Sequence, residues 1–139
     1  KMSSGQIVVM DLDGTINATA WGGLASKLAQ KKGVIGTIMH GTCRDLEEIR
    51  ECGYPIWAIG VCPRRSRNDF TFGSINEPIK ITDVLIKQND IIIADQSGVV
   101  CVPDDILGNV LKLLEKILHQ ETALEDQVLR NDIQNWDQI

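Results

Sequence analysis

The sequence predicts an α/β domain with a mixed sheet and a long C-terminal helix, and three observations carry that prediction. Ile7 to Leu12, IVVMDL, is a continuous apolar run of strand length, the pattern of a strand buried on both faces. From there to Val61, strand-like and helix-forming segments alternate, which implies parallel pairing through right-handed crossovers. After Pro63, short apolar runs separated by turn residues lead into a helical apolar stripe that starts near Pro103.

Taken in order, the elements have local reasons. Asp13, Gly14 and Thr15 carry turn chemistry after the first strand, and Asn17 to Trp21 lead into the pair Gly22–Gly23. Leu24 to Lys32 is helix-forming, and Gly33 stops it as glycine does where the next residue must turn left-handed. Val34 to His40 reads as a second strand broken at Gly41. Leu46 to Cys52 is a short helix with Asp45 at its N-cap position, and Gly53, Tyr54 and Pro55 separate it from a third strand, Ile56 to Val61. Arg64 to Asn76 is polar and reads as a surface loop. Pro78 to Ile81, Val84 to Ile86, Ile91 to Ala94 and Val99 to Val102 are strands too closely spaced for intervening helices, so antiparallel or mixed pairing is expected. Pro103, Asp104 and Asp105 open the last helix, since proline suits a first turn and acids suit the positive end. Its apolar stripe stays in phase through Leu124 and Val128, and a helix from Asp104 to Arg130 would be about 40 Å long. That is more than a small core needs, so the helix either frays after His119 or packs its second half on another subunit, and the in-phase Leu124 and Val128 favour the second.

Composition narrows the function. The chain has 139 residues, 43% of them apolar, enough to bury a core as one domain. Fourteen basic against 19 acidic residues give a net charge of −5, which argues against a general nucleic-acid binder. Cys43, Cys52, Cys62 and Cys101 show no paired spacing and, with two distant histidines, complete no zinc pattern. They read as reduced thiols of a cytoplasmic protein. No apolar run approaches the ~20 residues of a membrane span, so no membrane partner is expected.

Chemistry concentrates in Trp21 to Glu48. The glycine pair at a helix start leaves backbone N–H groups free, a seat for an anion formed by Gly22, Gly23, Leu24 and Ala25. Arg44 offers a planar fork to a carboxylate or phosphate, and Asp45 offers hard oxygen ligands to a divalent cation. Glu48 follows one helical turn on. Loops after neighbouring parallel strands share a sheet edge, where α/β proteins bind ligands. Other polar residues read more plainly: His40 and His119 as structural, and Arg64, Arg65 and Arg67 as a solvated basic cluster able to steer anions.

Two resemblances follow. Asp11-Leu12-Asp13-Gly14-Thr15 after an apolar strand is similar to the first motif of haloacid-dehalogenase-like phosphatases, but the later lysine and acidic pair lack equivalents beyond Asp95. The run from Gly22 to Ser66 resembles the RraA-like family of 4-hydroxy-4-methyl-2-oxoglutarate aldolases, oxaloacetate decarboxylases and regulators of ribonuclease activity A. The family pattern, a glycine or acid, a fixed interval, Arg-Asp, two residues and an acid, is met by Gly23, Arg44, Asp45 and Glu48. Asn89 to Pro103 resembles the family's closing segment.

This second resemblance implies a swivelling-type α/β domain over 1–139 that lacks the family's usual upstream segment. It implies a lyase that cleaves a C–C bond of a small 2-oxo acid, with Arg44 and Asp45 catalytic. The cofactor would be Mg²⁺ or Mn²⁺ on Asp45, with Glu48 acting through water. Many aldolases of the family carry an acid at the position of Gly23, so decarboxylation is expected ahead of aldol cleavage. A homotrimer or hexamer is implied too, with Glu121 or Glu125 reaching a neighbouring site. The alternative is a non-catalytic regulator that contacts a ribonuclease.

Overall fold

The computed structural model describes residues 3–130 and 132, and its chain divides into two compact units, Lys1–Cys101 and Val102–Ile139. In the first, strands β1 (Ile7–Trp21), β2 (Gly36–Cys43) and β3 (Ile56–Val61) form a parallel sheet in that order, connected by helices α1 (Gly23–Lys31) and α2 (Leu46–Glu51). Both helices end in the same way. Gly33 (φ 77°) and Gly53 (φ 64°) turn left-handed, and the following N–H groups, of Val34 and Tyr54, return to Ala29 O and Ile49 O. Each turn drops a buried side chain, Val34 or Tyr54, into one cluster with Ala29 of α1, Ile49 of α2 and Met39 and Cys43 of β2. The helices therefore cover one face of the sheet.

β1 is longer than the apolar run. Asp13 (φ 52°) and Gly14 (φ 64°) form a left-handed bulge rather than ending the strand. The register shows it, because Asp11 pairs with His40, Thr15 with Gly41 and Trp21 with Cys43, so β1 spends extra residues over a short stretch of β2. The Asp11–Thr15 motif lies inside this strand, its Asp11 carboxylate taken by the Asp13 N–H (2.9 Å) and His40 Nδ1 (2.8 Å). Gly41 does not break β2 either. A Cβ there would lie 2.9 Å from the Cβ and Cδ1 of Leu12, so the glycine lets two strands approach.

Beyond β3 the strands fall where expected, with β4 starting one residue later, after Pro78. β4 (Ile79–Ile81) and β5 (Val84–Ile86) form an antiparallel hairpin, and β6 (Ile91–Ala94) pairs with β7 (Val99–Val102). Trp57 Nε1 of β3 donates to the Asp95 carbonyl (2.7 Å), tying the β6–β7 turn to the parallel sheet. The second unit opens with a 3₁₀ turn, Asp104–Ile106, and continues as helix α3, Leu107–Leu129. No helix among the described residues is long and apolar enough to cross a membrane.

Candidate functional site

Parallel strands end on one edge, and there β1 delivers Gly22–Gly23 beside the Arg44–Asp45 pair that follows β2. Backbone and buried hydroxyls hold the two loops together. The Arg44 N–H donates to Trp21 O (3.0 Å), the Thr42 hydroxyl donates to Ala18 O (3.0 Å), and the Thr19 hydroxyl donates to Thr42 O. Trp21 stacks on Tyr54 with ring centroids 6.3 Å apart, and its Nε1 donates to Ser26 Oγ (2.8 Å). Ser26 is fully buried, and its hydroxyl donates to Gly22 O (3.1 Å), so the first turn of α1 is braced from within. No buried side-chain nitrogen or oxygen among the described residues lacks a partner.

The glycine pair is required for space. Gly22 is extended (φ −162°), a conformation open to any residue. A Cβ on Gly22 would lie 2.5 Å from Asp45 Oδ2, and one on Gly23 would lie 2.6 Å from Glu48 Oε2 and 2.8 Å from Glu48 Cβ. Two carboxylates thus converge on the glycines. Asp45 sits at the N-cap position of α2 as expected, but its side chain makes no capping bond, because its backbone is left-handed (φ 56°, ψ 45°). The carboxylate instead accepts the Gly23 N–H (3.2 Å) and pairs with Arg44 Nη1 (2.8 Å).

The four predicted groups are therefore brought together, with one difference in their partners. The anion seat at the start of α1 is shared by the chain's own Asp45 carboxylate. Ser26 is the first N–H to bond within the helix, to Gly22 O (3.1 Å), so the Leu24 and Ala25 amides have no acceptor within α1. Arg44 and Asp45 are about one-third exposed, at 31% and 28% of their side chains, which leaves both within reach of a small ligand. Glu48 pairs with Lys27 Nζ (2.8 Å), an ion pair across α1 and α2 that also holds the Lys27 pKa above its ordinary value. Nothing in the sequence pointed to Lys27, since its partner lies on a different helix.

A hard cation is compatible with this donor set. Asp45 and Glu48 offer oxygen atoms over a floor without side chains, and both remain partly open to water. Magnesium is commonly held by one or two carboxylates with water completing the shell. Among the described residues no group of three or more His, Cys, Asp or Glu could hold a metal, so water and ligand would supply the other positions. Arg44 and Lys27 are the charges such an ion would displace.

The basic cluster lies near the end of β1. The Cys62 N–H donates to Cys43 O, the Thr19 N–H to Arg64 O and the Ser66 N–H to Thr19 O, so residues 62–66 cross from the end of β2 to the outer side of β1. Arg64 is fixed by Asn17 O (3.0 Å) and Asp69 (2.6 Å), which holds the Asp69 carboxyl below its usual range. Arg65 and Arg67 are exposed.

Comparison with known proteins shows the family and the fold. The sequence profile of the RraA-like family (Aldolase/RraA) matches residues 1–101. The chain is 34% identical over 111 residues to protein DlpA of Legionella pneumophila, covering 80% of this chain and 18% of that protein. It is 30% identical over 105 residues to the 4-hydroxy-4-methyl-2-oxoglutarate aldolase of Thermus thermophilus, covering 76% of this chain and 63% of the enzyme. The chain therefore spans less than two-thirds of the length of these relatives. Among solved structures it is similar to the RNA-processing inhibitor RraA of Thermus thermophilus, with TM-score 0.68 and 28% identity over 74% of this chain and 62% of that one. An uncharacterised protein of Pseudomonas syringae pv. tomato shares the fold, with TM-score 0.89 and 24% identity over 98% of this chain and 67% of its own. With the profile matching most of the chain and the Gly23, Arg44, Asp45 and Glu48 pattern gathered at one sheet edge, this chain belongs to the RraA-like family.

Proposed function

We propose that this chain carries a divalent-cation-dependent lyase site that cleaves a C–C bond of a small 2-oxo acid and releases pyruvate. The observation that carries the reading is the convergence of the Arg44 fork, the open first turn of α1 and the Asp45 and Glu48 carboxylates on the glycine pair. The naming of relatives as 4-hydroxy-4-methyl-2-oxoglutarate aldolases supports it.

In this reading the substrate's carboxylate binds the Leu24 and Ala25 amides, where a helix N-terminus favours negative charge. Arg44 clamps the same end and stabilises the charge that develops on the 2-oxo oxygen as the bond breaks. Asp45 and Glu48 would hold Mg²⁺ or Mn²⁺. The cation would act as a Lewis acid toward the 2-oxo group. Asp45 has a second role, since its left-handed backbone aims it at the glycine floor and not at α2. Lys27 holds Glu48 beside Gly23 until substrate arrives.

Decarboxylation of oxaloacetate needs no base to begin, whereas retro-aldol cleavage must remove a hydroxyl proton. Position 23 has no side chain, and Glu48 fills the space one would take. We therefore place oxaloacetate decarboxylation ahead of cleavage of 4-hydroxy-4-methyl-2-oxoglutarate. The test is oxaloacetate turnover with Mg²⁺, with chelator and with Asp45→Ala. Loss in both latter cases is expected. Turnover no higher than that of free metal ion in the intact protein would overturn the reading.

The similarity to the Thermus RNA-processing inhibitor favours a second reading, a regulator acting by protein contact. Capture of a ribonuclease that is unchanged by substitution of Arg44 and Asp45, in a protein without turnover, would establish it instead.

A further inference from the structure

We propose that Lys27 selects for a substrate with two carboxylates: a cation displaces its ammonium from Glu48, and the ammonium then takes the carboxylate at the far end of the 2-oxo acid. The proposal rests on the lyase reading and assigns this residue a role in specificity. Two carboxylates face the glycine floor, and each holds one cationic side chain, Asp45 with Arg44 Nη1 (2.8 Å) and Glu48 with Lys27 Nζ (2.8 Å). The same Glu48 oxygen, Oε2, that accepts from Lys27 lies 2.6 Å from the place of a Gly23 Cβ. The ammonium is therefore bonded to the oxygen that a divalent cation over the floor would take. Like charges at that range repel, so the cation and Lys27 compete for Glu48.

Charge and geometry decide what the displaced ammonium meets. The two ion pairs are neutral as they stand. A divalent cation on Asp45 and Glu48 takes the carboxylates of both Arg44 and Lys27, and a 2-oxo acid with one carboxylate answers only Arg44. A second carboxylate restores neutrality and gives Lys27 a charge-assisted partner. Lys27 lies one helical turn after Leu24, and helix side chains lean toward the N-terminus, so its ammonium stands beside the open first turn of α1. Lys27 and Glu48 keep 49% and 52% of their side chains exposed, so the flexible lysine stem can swing without disturbing the core. Glu51 and Cys52 act on Lys27 only at a distance, whereas Glu48 bonds it directly. Of the basic cluster, Arg64 is held by Asn17 O and Asp69, and Arg65 belongs to the segment paired with the outer side of β1.

The test uses a matched pair of probes, 2-oxoglutarate and 2-oxopentanoate, which differ only by a terminal carboxylate in place of a methyl group. Titration calorimetry on the whole chain with Mn²⁺ should show 2-oxoglutarate binding about fivefold more tightly, the scale of a half-exposed ion pair. Lys27→Met should erase that preference and leave 2-oxopentanoate binding unchanged, whereas Lys27→Arg should keep it. Spin resonance of free Mn²⁺ gives a second readout without ligand. A lysine that only propped Glu48 would lose metal affinity on removal, but one that competes for Glu48 gains it, so Lys27→Met should bind Mn²⁺ about threefold more tightly. Equal binding of the two probes, a preference that survives Lys27→Met or is lost in Arg65→Gln instead, or weaker Mn²⁺ binding by Lys27→Met would each overturn the proposal. A protein that shows the preference but does not cleave oxaloacetate would remove the lyase reading alone.

Discussion

At Asp45 a non-glycine residue holds a left-handed backbone, and the strain aims its carboxylate at the Gly23 amide and Arg44. Asparagine tolerates that backbone and can still accept the amide hydrogen, whereas alanine does neither. Asp45→Asn should therefore lose less stability than Asp45→Ala while abolishing metal-dependent turnover. Asp45→Ala should lose turnover and also about 1–2 kcal/mol, from strain and a lost charge-assisted bond. Scanning calorimetry beside the oxaloacetate assay separates the two, and an equally unstable Asn variant would show that the negative charge itself holds the loop. At Gly23 the steric argument is equally local. A methyl group there meets the Glu48 Cβ at 2.8 Å, so Gly23→Ala should destabilise by about 1–3 kcal/mol, the range for overpacking. Glu48→Ala removes the carboxyl oxygen that such a methyl would meet at 2.6 Å but keeps the Cβ at 2.8 Å, so Gly23→Ala in that background should recover only the carboxyl's share of the loss. Simple addition of the two effects in a double-mutant cycle would mean the clash relaxes elsewhere.

At the scale of elements, the β1–β2 pair positions both halves of the site, and it depends on Gly41. A Cβ there would press on Leu12 across the strands, just where β1 begins its bulge. Gly41→Ala should cost about 1–3 kcal/mol, and because it disturbs the register it should also lower turnover. Urea titration and the same activity assay would show whether the two losses travel together. A stable but inactive variant would point to the bulge as a determinant of site geometry and not of stability. The capping turns at Gly33 and Gly53 are set by the sequence more directly, since glycine is the residue that reaches their left-handed angles without strain.

At the scale of the whole molecule, the first unit's core holds groups that resist losing a proton. Burial pushes the Tyr54 phenol and the Cys43 thiol above their ordinary values, and Tyr54 stays hydrogen-bonded to Thr37 (2.9 Å). Both are acids whose folded form binds the proton more tightly than the unfolded chain. Their contribution is complete below the unfolded values and is lost as pH rises above about 9 for Cys43 and about 10 for Tyr54. Stability should fall on the alkaline side, and Tyr54→Phe should flatten the upper part of that fall while losing about 1 kcal/mol at neutral pH. Denaturation curves between pH 7 and 11 would read this, and an unchanged slope in the Phe variant would remove Tyr54 from the account. By itself the sequence determined the alternation of strands and helices, the bounds of β3, β5, β6 and β7, the glycine stops and the Gly23, Arg44, Asp45 and Glu48 pattern. Those depend on hydrophobic periodicity and on backbone angles, which are local. Only the tertiary structure decided that Asp13–Gly14 is a bulge, that Gly41 is a close approach and that Asp45 turns to Gly23 instead of capping α2. Only there does Lys27 meet Glu48. Each of these is a contact between residues more than twenty positions apart or a backbone angle imposed by one, and no local pattern encodes which distant side chain will fill a given space.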